Sequence, residues 1–278
     1  WSTIPNDDNG YNWSVFAEGD DPANDQAVAS GNAPSGNSSV NLTGLTENTA
    51  YEAYIETDCG SDGESELSAP VPFTTPCTAI SAPVTENFDG SAWVAGTGFA
   101  NNGSSIENCW SRTPDGTDGN YFWGTRSGAT GSGGTGPSAA NSGANYIFTE
   151  GSNGADGDEA FFVSPLIDLS NLNEPALIFY YHMFGVNMGT LSVDVNDGSG
   201  YDLDIFTISG QQQAADADAF IEQIVDLSAY SGQTVNIRFR GTRGGGFESD
   251  MAIDDFSVDE APSCIKPSSH LVEEVFAE

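Results

Sequence analysis

Positive charge is scarce in this sequence. Its 278 residues include 41 Asp and Glu but only 6 Lys and Arg, which gives a formal net charge of −35. Such a field repels nucleic-acid phosphates and anionic membrane surfaces, so we expect no nucleic-acid partner. It attracts cations, and it keeps a protein soluble in salty water because the self-repulsion is screened. We expect most of these carboxylates to form a solvated acidic surface.

Histidine is almost as scarce, with only His182 and His270. The sequence lacks the His-Glu-x-x-His motif of zinc peptidases and the Gly-x-Ser-x-Gly elbow of serine hydrolases. His182 lies within an aromatic segment, where a core or sheet-face histidine is the favoured interpretation. The glycine-rich residues 241–246 lack the Lys-Ser/Thr ending of a phosphate-binding loop. We therefore predict no catalytic residue here, and any catalytic domain would lie outside this chain.

Long apolar runs are also missing. No run of 18 apolar residues occurs, so we expect no membrane-spanning segment. No signal peptide is visible and the chain begins at Trp1, which leads us to expect a processed or excised piece of a longer protein. Four cysteines and 33 glycines, with 38% hydrophobic residues, are typical of a secreted protein built from short strands and turns.

Short segments of alternating polarity run along the chain and predict strands. In Ala50–Thr57 the alternation places Tyr51, Ala53 and Ile55 on one face of a strand. Turn-forming residues 60–63 separate this segment from another at 69–75, which predicts a hairpin. Further strands are predicted at residues 11–16 and 39–42. The sequence therefore predicts an all-β fold.

Residues 42–51, with the sequence LTGLTENTAY, resemble a corner of the fibronectin type III domain. In that family a leucine precedes the turn and a tyrosine opens the next strand, and residues 71–75 resemble the last strand. Residues 1–76 are therefore interpreted as a partial fibronectin type III-like sandwich. The resemblance places Trp1 at the core tryptophan of the second strand, so the opening strands would be missing. We expect something else to complete the module.

Residues 77–263 carry an ordered set of motifs that resembles the MAM domain of meprins, neuropilins and receptor phosphatases. The motifs are the loop at 134–138 (GTGPS), Ser-Pro at 164–165, YHMFG at 181–185, GTLSV at 189–193 and AIDD at 252–255. The resemblance implies an antiparallel two-sheet jelly-roll that binds rather than reacts. Residues 264–278 are interpreted as the start of a following module or as a tail.

The four cysteines allow three pairings. A regular hairpin would separate Cys59 from Cys77 by about 30 Å, far beyond the roughly 4.4–6.8 Å between Cα atoms of a disulfide. In a complete module Cys59 and Cys264 would each have a partner beyond this chain. We favour a disulfide between Cys77 and Cys109, and the alternative pairing of Cys109 with Cys264 stays open.

The resemblance also implies a structural cation. Calcium binds six to eight hard oxygens from carboxylates and carbonyls. Asp89 follows an aromatic residue where the family places an acid, and Asp254 lies in the closing motif. Alternation would place Asp254 on the same apolar face as Phe256, where a carboxylate needs a partner or a metal. We expect a Ca²⁺ ion held by these two residues, completed by the loop acids Asp118, Asp158 and Glu159.

Three functions are compatible with these features. We favour a non-catalytic extracellular adhesion or interaction module of a larger secreted or cell-surface protein, with a protein or carbohydrate partner. An accessory binding region of a secreted peptidase or polysaccharide hydrolase is the second, and a filament subunit completed by strand exchange is the third. Candidate contact residues are Arg126, Trp93, Trp110 and Trp123, although core positions are the favoured interpretation for the tryptophans.

Overall fold

The structure, a computed structural model, describes residues 9–37, 39–98, 101–107, 109–116 and 120–263. It is all-β, which confirms the predicted fold class. The chain divides between Thr78 and Ala79 into two compact units. Four positions discussed above lie outside the described residues: Trp1, Asp118, Cys264 and His270.

The first unit contains a four-stranded antiparallel sheet. Its strands are β1 (Tyr11–Ala17), β2 (Ala29–Ala33), β3 (Ala50–Thr57) and β4 (Val71–Thr74), in the order β2-β1-β3-β4. The β3–β4 pair is the hairpin expected from the sequence. The prediction of a strand at residues 39–42 is wrong, because the described sheet offers them no partner and two of their side chains, Val40 and Leu42, line its face instead.

One face of this sheet is an apolar trough of 380 Å³. Trp13, Val15 and Ile55 line it together with Val40 and Leu42. Exposed apolar surface of this kind marks a place where another element can pack.

A tyrosine hydrogen bond fixes the turn that precedes β3. The Tyr51 hydroxyl accepts this bond from the Thr46 backbone N–H at 3.0 Å.

The second unit contains two sheets. Its strands are β5 (Ile80–Ser81), β6 (Val84–Glu86), β7 (Ser111–Thr113), β8 (Trp123–Ser127), β9 (Asn145–Thr149), β10 (Glu159–Val163), β11 (Ile167–Asp168), β12 (Pro175–His182), β13 (Thr190–Asn196), β14 (Tyr201–Ser209), β15 (Ile221–Asp226), β16 (Thr234–Thr242) and β17 (Ala252–Glu260). A seven-stranded sheet has the order β14-β13-β16-β10-β7, with β11 beside β16 and β5 beside β11. A six-stranded sheet has the order β15-β12-β17-β9-β8, with β6 beside β17. Only the short β5–β11 pair is parallel among the described strands.

The core of the second unit lies between these two sheets. Phe239 of the seven-stranded sheet packs edge-on against Phe179 and Phe256 of the six-stranded sheet, with ring centroids 5.0 and 6.2 Å apart. All three side chains are almost fully buried. Such interdigitation of two inner faces is the packing of a β-sandwich or jelly-roll.

A β-bulge interrupts strand β17 and changes which residues face the core. Ile178 of β12 pairs with Ser257, whereas Tyr180 pairs with Asp254, so β17 contains one more residue than its partner there. Asp255 takes the positive φ of 48° that the irregularity requires. The prediction that Asp254 shares a face with Phe256 is therefore wrong, because the extra residue reverses the alternation between them.

Candidate functional site

A groove of 630 Å³ crosses the outer face of the six-stranded sheet. Apart from the core residue Phe256, strands β12 and β17 supply half-buried side chains from the face opposite the core. Strand β6, the loop after it and Glu107, which precedes β7, supply the remaining lining. The lining residues are Thr85, Glu86, Asn87, Gly90, Glu107, Ile178, Tyr180, Asp255, Phe256 and Ser257. Among the described residues, no lysine or arginine lines the groove, so this lining has acceptors and hydroxyls without a fixed positive charge.

The bulge in β17 directs Asp255 into this groove. Bulges commonly re-aim a side chain next to a functional site. The Asp255 carboxylate accepts hydrogen bonds from the Asn141 amide and the Ser142 hydroxyl, both at 2.7 Å. These hydrogen bonds hold the loop that follows residue 140, while Asp255 also lines the groove.

Tyr180 provides an aromatic ring in the groove. Its hydroxyl donates to Glu222 Oε1 of the neighbouring strand β15 at 2.9 Å. This hydrogen bond, with some burial, raises the pKa of Tyr180. The ring is thus held in one orientation, which reduces the entropy that a ligand would otherwise lose by ordering it.

Two glutamates form the acidic wall. Glu86 Oε1 accepts the Phe88 N–H at 2.7 Å, and Glu107 Oε2 accepts the Trp93 indole N–H at 3.0 Å. Burial, together with the charge of Glu107, raises the pKa of Glu86. The wall therefore suits a ligand that donates hydrogen bonds or carries positive charge, and it disfavours an anionic one.

The two acids favoured as calcium ligands both contact one loop, residues 141–145. Asp89 Oδ1 accepts the N–H groups of Ala144 and Asn145 at 2.8 and 2.9 Å. Asp254 Oδ2 accepts the N–H groups of Asn141 and Ser142 at 2.8 and 3.3 Å. These N–H donors occupy lone pairs that a shared cation would need. In the structure, the two carboxylates therefore bind backbone N–H groups of the loop.

The other predicted ligands lie elsewhere. Asp158 Oδ2 accepts the Ala155 N–H at 2.7 Å, and Glu159 forms an ion pair with Arg240 at 3.2 Å. Within the described ranges, no three Asp, Glu, His or Cys side chains form a group that could hold a metal. The predicted set is therefore not assembled among these residues, and calcium binding by Asp89 and Asp254 stays a prediction.

The predicted contact residues are used inside the domain. Trp93, Trp110 and Trp123 are 2%, 8% and 0% exposed, which confirms the core interpretation. Arg126 donates to the carbonyls of Ala129 and Gly98 at 3.0 and 2.9 Å, so it stabilises loops. The three buried tryptophans are therefore not available to a partner, whereas Arg126 is half-buried and its contact with a partner stays a prediction.

His182 is fully buried, with Phe220 5.2 Å away. Burial lowers its pKa to about 4, although the nearby charge of Asp218 opposes the change. It is a core histidine, as the sequence indicated. Among the cysteines, Cys77 and Cys109 are both disulfide-bonded, whereas Cys59 is free and exposed.

The outer face of the seven-stranded sheet has a different electrostatic character. Asp194 is fully buried, and its Oδ2 accepts from Arg238 Nη2 at 2.8 Å and Arg240 Nε at 3.2 Å. Arg240 Nη2 also donates to Asp204 at 2.6 Å. Arg238 lies over the Tyr201 ring at 3.7 Å. These arginines are satisfied within the sheet, so this face presents a closed network rather than an open site.

The family model for the MAM domain (meprin/A5/mu) matches residues 105–264, which is more than half of the chain. The chain belongs to the MAM domain family. The groove, the bulge at Asp254–Asp255 and the closing strand all lie within or beside the matched range. No helix among the described residues is long and apolar enough to span a membrane.

Curated relatives share about a third of the aligned residues with this MAM domain. The MAM domain-containing glycosylphosphatidylinositol anchor protein 1 of Gallus gallus is 30% identical over 125 residues, 44% of this chain and 12% of the relative. Neuropilin-1 of Xenopus laevis is 32% identical over 127 residues, 45% of this chain and 13% of the relative. The chain therefore spans only a small part of these relatives. The K1 cleaved adhesin domain of Lys-gingipain from Porphyromonas gingivalis W83 aligns with a TM-score of 0.44 and 15% identity, over 65% of this chain and 99% of that domain.

Proposed function

We propose that this chain is a non-catalytic, extracellular interaction module that binds an uncharged carbohydrate in the groove on its six-stranded sheet. The observation that carries the proposal is a preformed groove with an oriented aromatic ring, three carboxyl groups and no base. A sugar ring can stack on Tyr180 while its hydroxyls donate to Glu86, Glu107 and Asp255. The absence of a base disfavours anionic sugars, and a basic peptide is the competing ligand class.

A glycan array followed by calorimetry with the best neutral oligosaccharide tests this proposal. Truncating Tyr180 to alanine is expected to weaken binding by at least tenfold, because aromatic contacts contribute about 1–3 kcal/mol at binding sites. Phe247→Ala is the matched control, because this aromatic is 48% exposed and lies outside the groove. Equal binding by both variants would exclude the groove. Capture of cationic peptides but no glycan would contradict the carbohydrate class, and product formation would contradict a non-catalytic role.

An extracellular location is supported by the disulfide-bonded state of Cys77 and Cys109, because disulfides persist in oxidising compartments. Reduction is expected to lower the Tm of the chain by several degrees, since a disulfide typically contributes about 2–4 kcal/mol. An unchanged Tm after full reduction, with both thiols shown to be free by alkylation, would remove this support.

We also infer that residues 1–76 are part of a fibronectin type III module. The order β2-β1-β3-β4 equals the C′-C-F-G order of one sheet in immunoglobulin-like sandwiches. The Tyr51 hydroxyl bonded to Thr46 N–H has the form of a tyrosine corner. In such a module a second sheet would cover the trough lined by Trp13, Val15 and Ile55.

Dye binding tests this completion. The trough is expected to bind an apolar fluorescent dye in this chain and to lose that binding in a longer natural chain that supplies the second sheet. Equal dye binding by both chains would contradict the proposal. Loss of dye binding with rising concentration, together with oligomers in ultracentrifugation, would instead support a filament subunit completed by strand exchange.

A further inference from the structure

A second pocket, of 190 Å³, lies between two loops of the MAM domain. One loop contributes residues 138–141, and the other contributes residues 216–220, just before β15. The lining residues are Ser138, Ala139, Ala140, Asn141, Asp216, Ala217, Asp218, Ala219 and Phe220. None of them lines the groove, so this pocket is a separate concave surface.

Packing beneath the second pocket places it next to the groove. The ring of Phe220, which forms the floor of the pocket, lies 5.2 Å from the ring of His182. His182 follows Tyr180 by two residues on β12, and residues two apart on a strand share a face and lie about 7 Å apart. Tyr180 also packs against the buried cluster that contains Phe220. The aromatic ring of the groove and the floor of the second pocket are therefore neighbours on one face of the six-stranded sheet.

A hydrogen-bonded bridge at the surface separates the two pockets. Asn141 lines the second pocket, and its side-chain amide donates to the carboxylate of Asp255 in the groove at 2.7 Å. The next residue, Ser142, donates its hydroxyl to the same carboxylate, also at 2.7 Å. Asn141 and Ser142 are exposed and Asp255 is half-buried. A molecule built as a chain can therefore pass over this bridge and contact both pockets at once.

The loops around the second pocket are held in place by internal hydrogen bonds. The Ser138 backbone N–H donates to the Asp216 carbonyl at 2.9 Å, which joins one loop to the other. Gln213 is buried, and its amide accepts the Met183 N–H at 2.7 Å and donates to the Tyr181 carbonyl at 3.1 Å. The pocket is therefore preformed, which reduces the entropy that a ligand would lose by ordering it.

The chemistry of the second pocket matches that of the groove. Phe220 supplies an apolar floor, and Ser138, Asp216 and Asp218 supply a hydroxyl and two carboxylates. No lysine or arginine lines this pocket in the part of the chain that the structure describes. Carboxylates accept hydrogen bonds from hydroxyl groups, and their charge disfavours an anion. Both pockets therefore suit the same class of ligand, an uncharged molecule with many hydroxyls.

We propose that the groove and the second pocket are two subsites for one extended neutral oligosaccharide. The protein would then recognise a polysaccharide segment of several sugar units rather than a single terminal sugar. This inference rests on the proposed carbohydrate function of the groove. Once one end of the oligosaccharide occupies the groove, the other end reaches the second pocket at a high effective concentration, so its contacts add to the affinity. Longer oligosaccharides are therefore expected to bind more tightly until both subsites are filled.

Calorimetry on the whole chain tests the inference, with a length series of the best neutral oligosaccharide from the glycan array. We expect the affinity to rise by about tenfold between the shortest member that binds and the longest. Ala139→Leu and Ala219→Leu narrow the second pocket, so each is expected to remove this gain and to leave binding of the shortest member unchanged. Ala229→Leu is the matched control, because this exposed alanine lies outside both pockets, and it is expected to keep the gain.

Two results would overturn the second subsite. The first is an affinity that does not rise with the length of the oligosaccharide. The second is a full gain with length in both leucine variants, whose Tm values show that they are folded. Tyr180→Ala is expected to weaken binding of short and long members alike, because both occupy the groove. If no neutral oligosaccharide binds, the proposed function fails together with this inference, whereas binding without a gain from length overturns the second subsite alone.

Discussion

Two regions of the MAM domain bury acidic side chains, and they compensate the charge differently. Asp194, in the seven-stranded sheet, accepts hydrogen bonds from two arginines and from the Asp204 N–H. Burial alone would raise the pKa of Asp194, but the hydrogen bonds from Arg240 and Arg238 outweigh burial and lower it. Beside the six-stranded sheet, no ion pair in the described part of the chain joins Glu150 or Asp250 to an arginine. Burial and the charge of Glu150 raise the pKa of Asp250.

The difference shows what a chain with only 6 basic residues can and cannot do by itself. Arg238 and Arg240 are both committed to Asp194, and this centre is complete without any added group. In the second centre, burial and the charge of Glu150 raise the pKa of Asp250, which favours its protonated form. Four substitutions test this contrast between a buried acid that is paired with arginines and acids that have no arginine partner or are exposed.

The largest effect is expected from Asp194→Ala. Removing one partner of a buried ion pair leaves the other charges uncompensated, which costs about 3–5 kcal/mol of unfolding free energy. Urea denaturation measures the loss. Asp204→Ala is the control, because that side chain is 52% exposed and its pair with Arg240 should contribute under about 1 kcal/mol. Equal losses in the two variants would contradict the difference in burial on which the comparison depends.

The second effect concerns Asp254, a buried acid that backbone N–H groups satisfy without an arginine. Burial, with the charge of Asp255, raises its pKa to about 7, compared with 3.8 for an unperturbed aspartate. The folded state therefore holds this proton at pH values where the unfolded chain has released it. The stabilisation is present at low pH and is lost as the pH rises through about 7.

A pH series with Asp254→Asn isolates this contribution. The unfolding free energy of the parent chain is expected to fall by about 3 kcal/mol relative to that of the variant between pH 5 and 8, in calcium-free buffer. His182 acts in the opposite direction, since its lowered pKa makes stability fall as the pH drops from 6.5 towards 4. The contribution of His182 is the same in both proteins, so it cancels in the difference between their unfolding free energies. Parallel pH profiles would show that Asp254 is ionised throughout.

A smaller effect is expected from Asp250→Asn in the presence of a chelator. Where the parent carries the Asp250 charge, the amide removes it and can donate to Glu150 Oε2, so at high pH the variant should gain about 1–2 kcal/mol over the parent. The gain should shrink as the pH falls, because the raised pKa of Asp250 favours its neutral form in the folded parent. A loss of stability at pH 8 would contradict this prediction. It would mean that a positively charged group compensates the Asp250 carboxylate in the parent.

The fold of the second unit could be predicted because its motifs lie on strands with strong patterns. The motifs at 181–185 and 189–193 overlap strands β12 and β13, which both lie inside their sheets. Strand β14 was missed because acids interrupt its apolar positions, and β2 because Ala29–Ala33 contains only small and polar residues. Edge strands need less burial than central ones, so their sequence signal is weaker.

The sites were harder to predict than the fold. Alternation along β17 would have placed Asp254 correctly without the bulge, which depends on the register with β12 and not on any residue type. Glu150 and Asp250 are 100 positions apart, and with 41 acids in the chain no spacing rule selects this pair. One usable signal existed, since Glu150 ends an apolar strand and Asp250 precedes another, where a buried acid is unusual.

The smallest effect is expected from Glu159→Gln, at the exposed end of the arginine network. Its carboxylate lies 3.2 Å from Arg240 and is 43% exposed, so solvent screens the pair and Arg240 keeps Asp194 as its buried partner. We expect a loss of about 0.2–1 kcal/mol at low salt that disappears in 1 M salt, measured by urea denaturation. If added calcium raises the Tm of the parent chain, the rise should be unchanged in this variant, because Glu159 is paired with Arg240. A rise that Glu159→Gln abolishes would instead make Glu159 a metal ligand, as expected from the sequence.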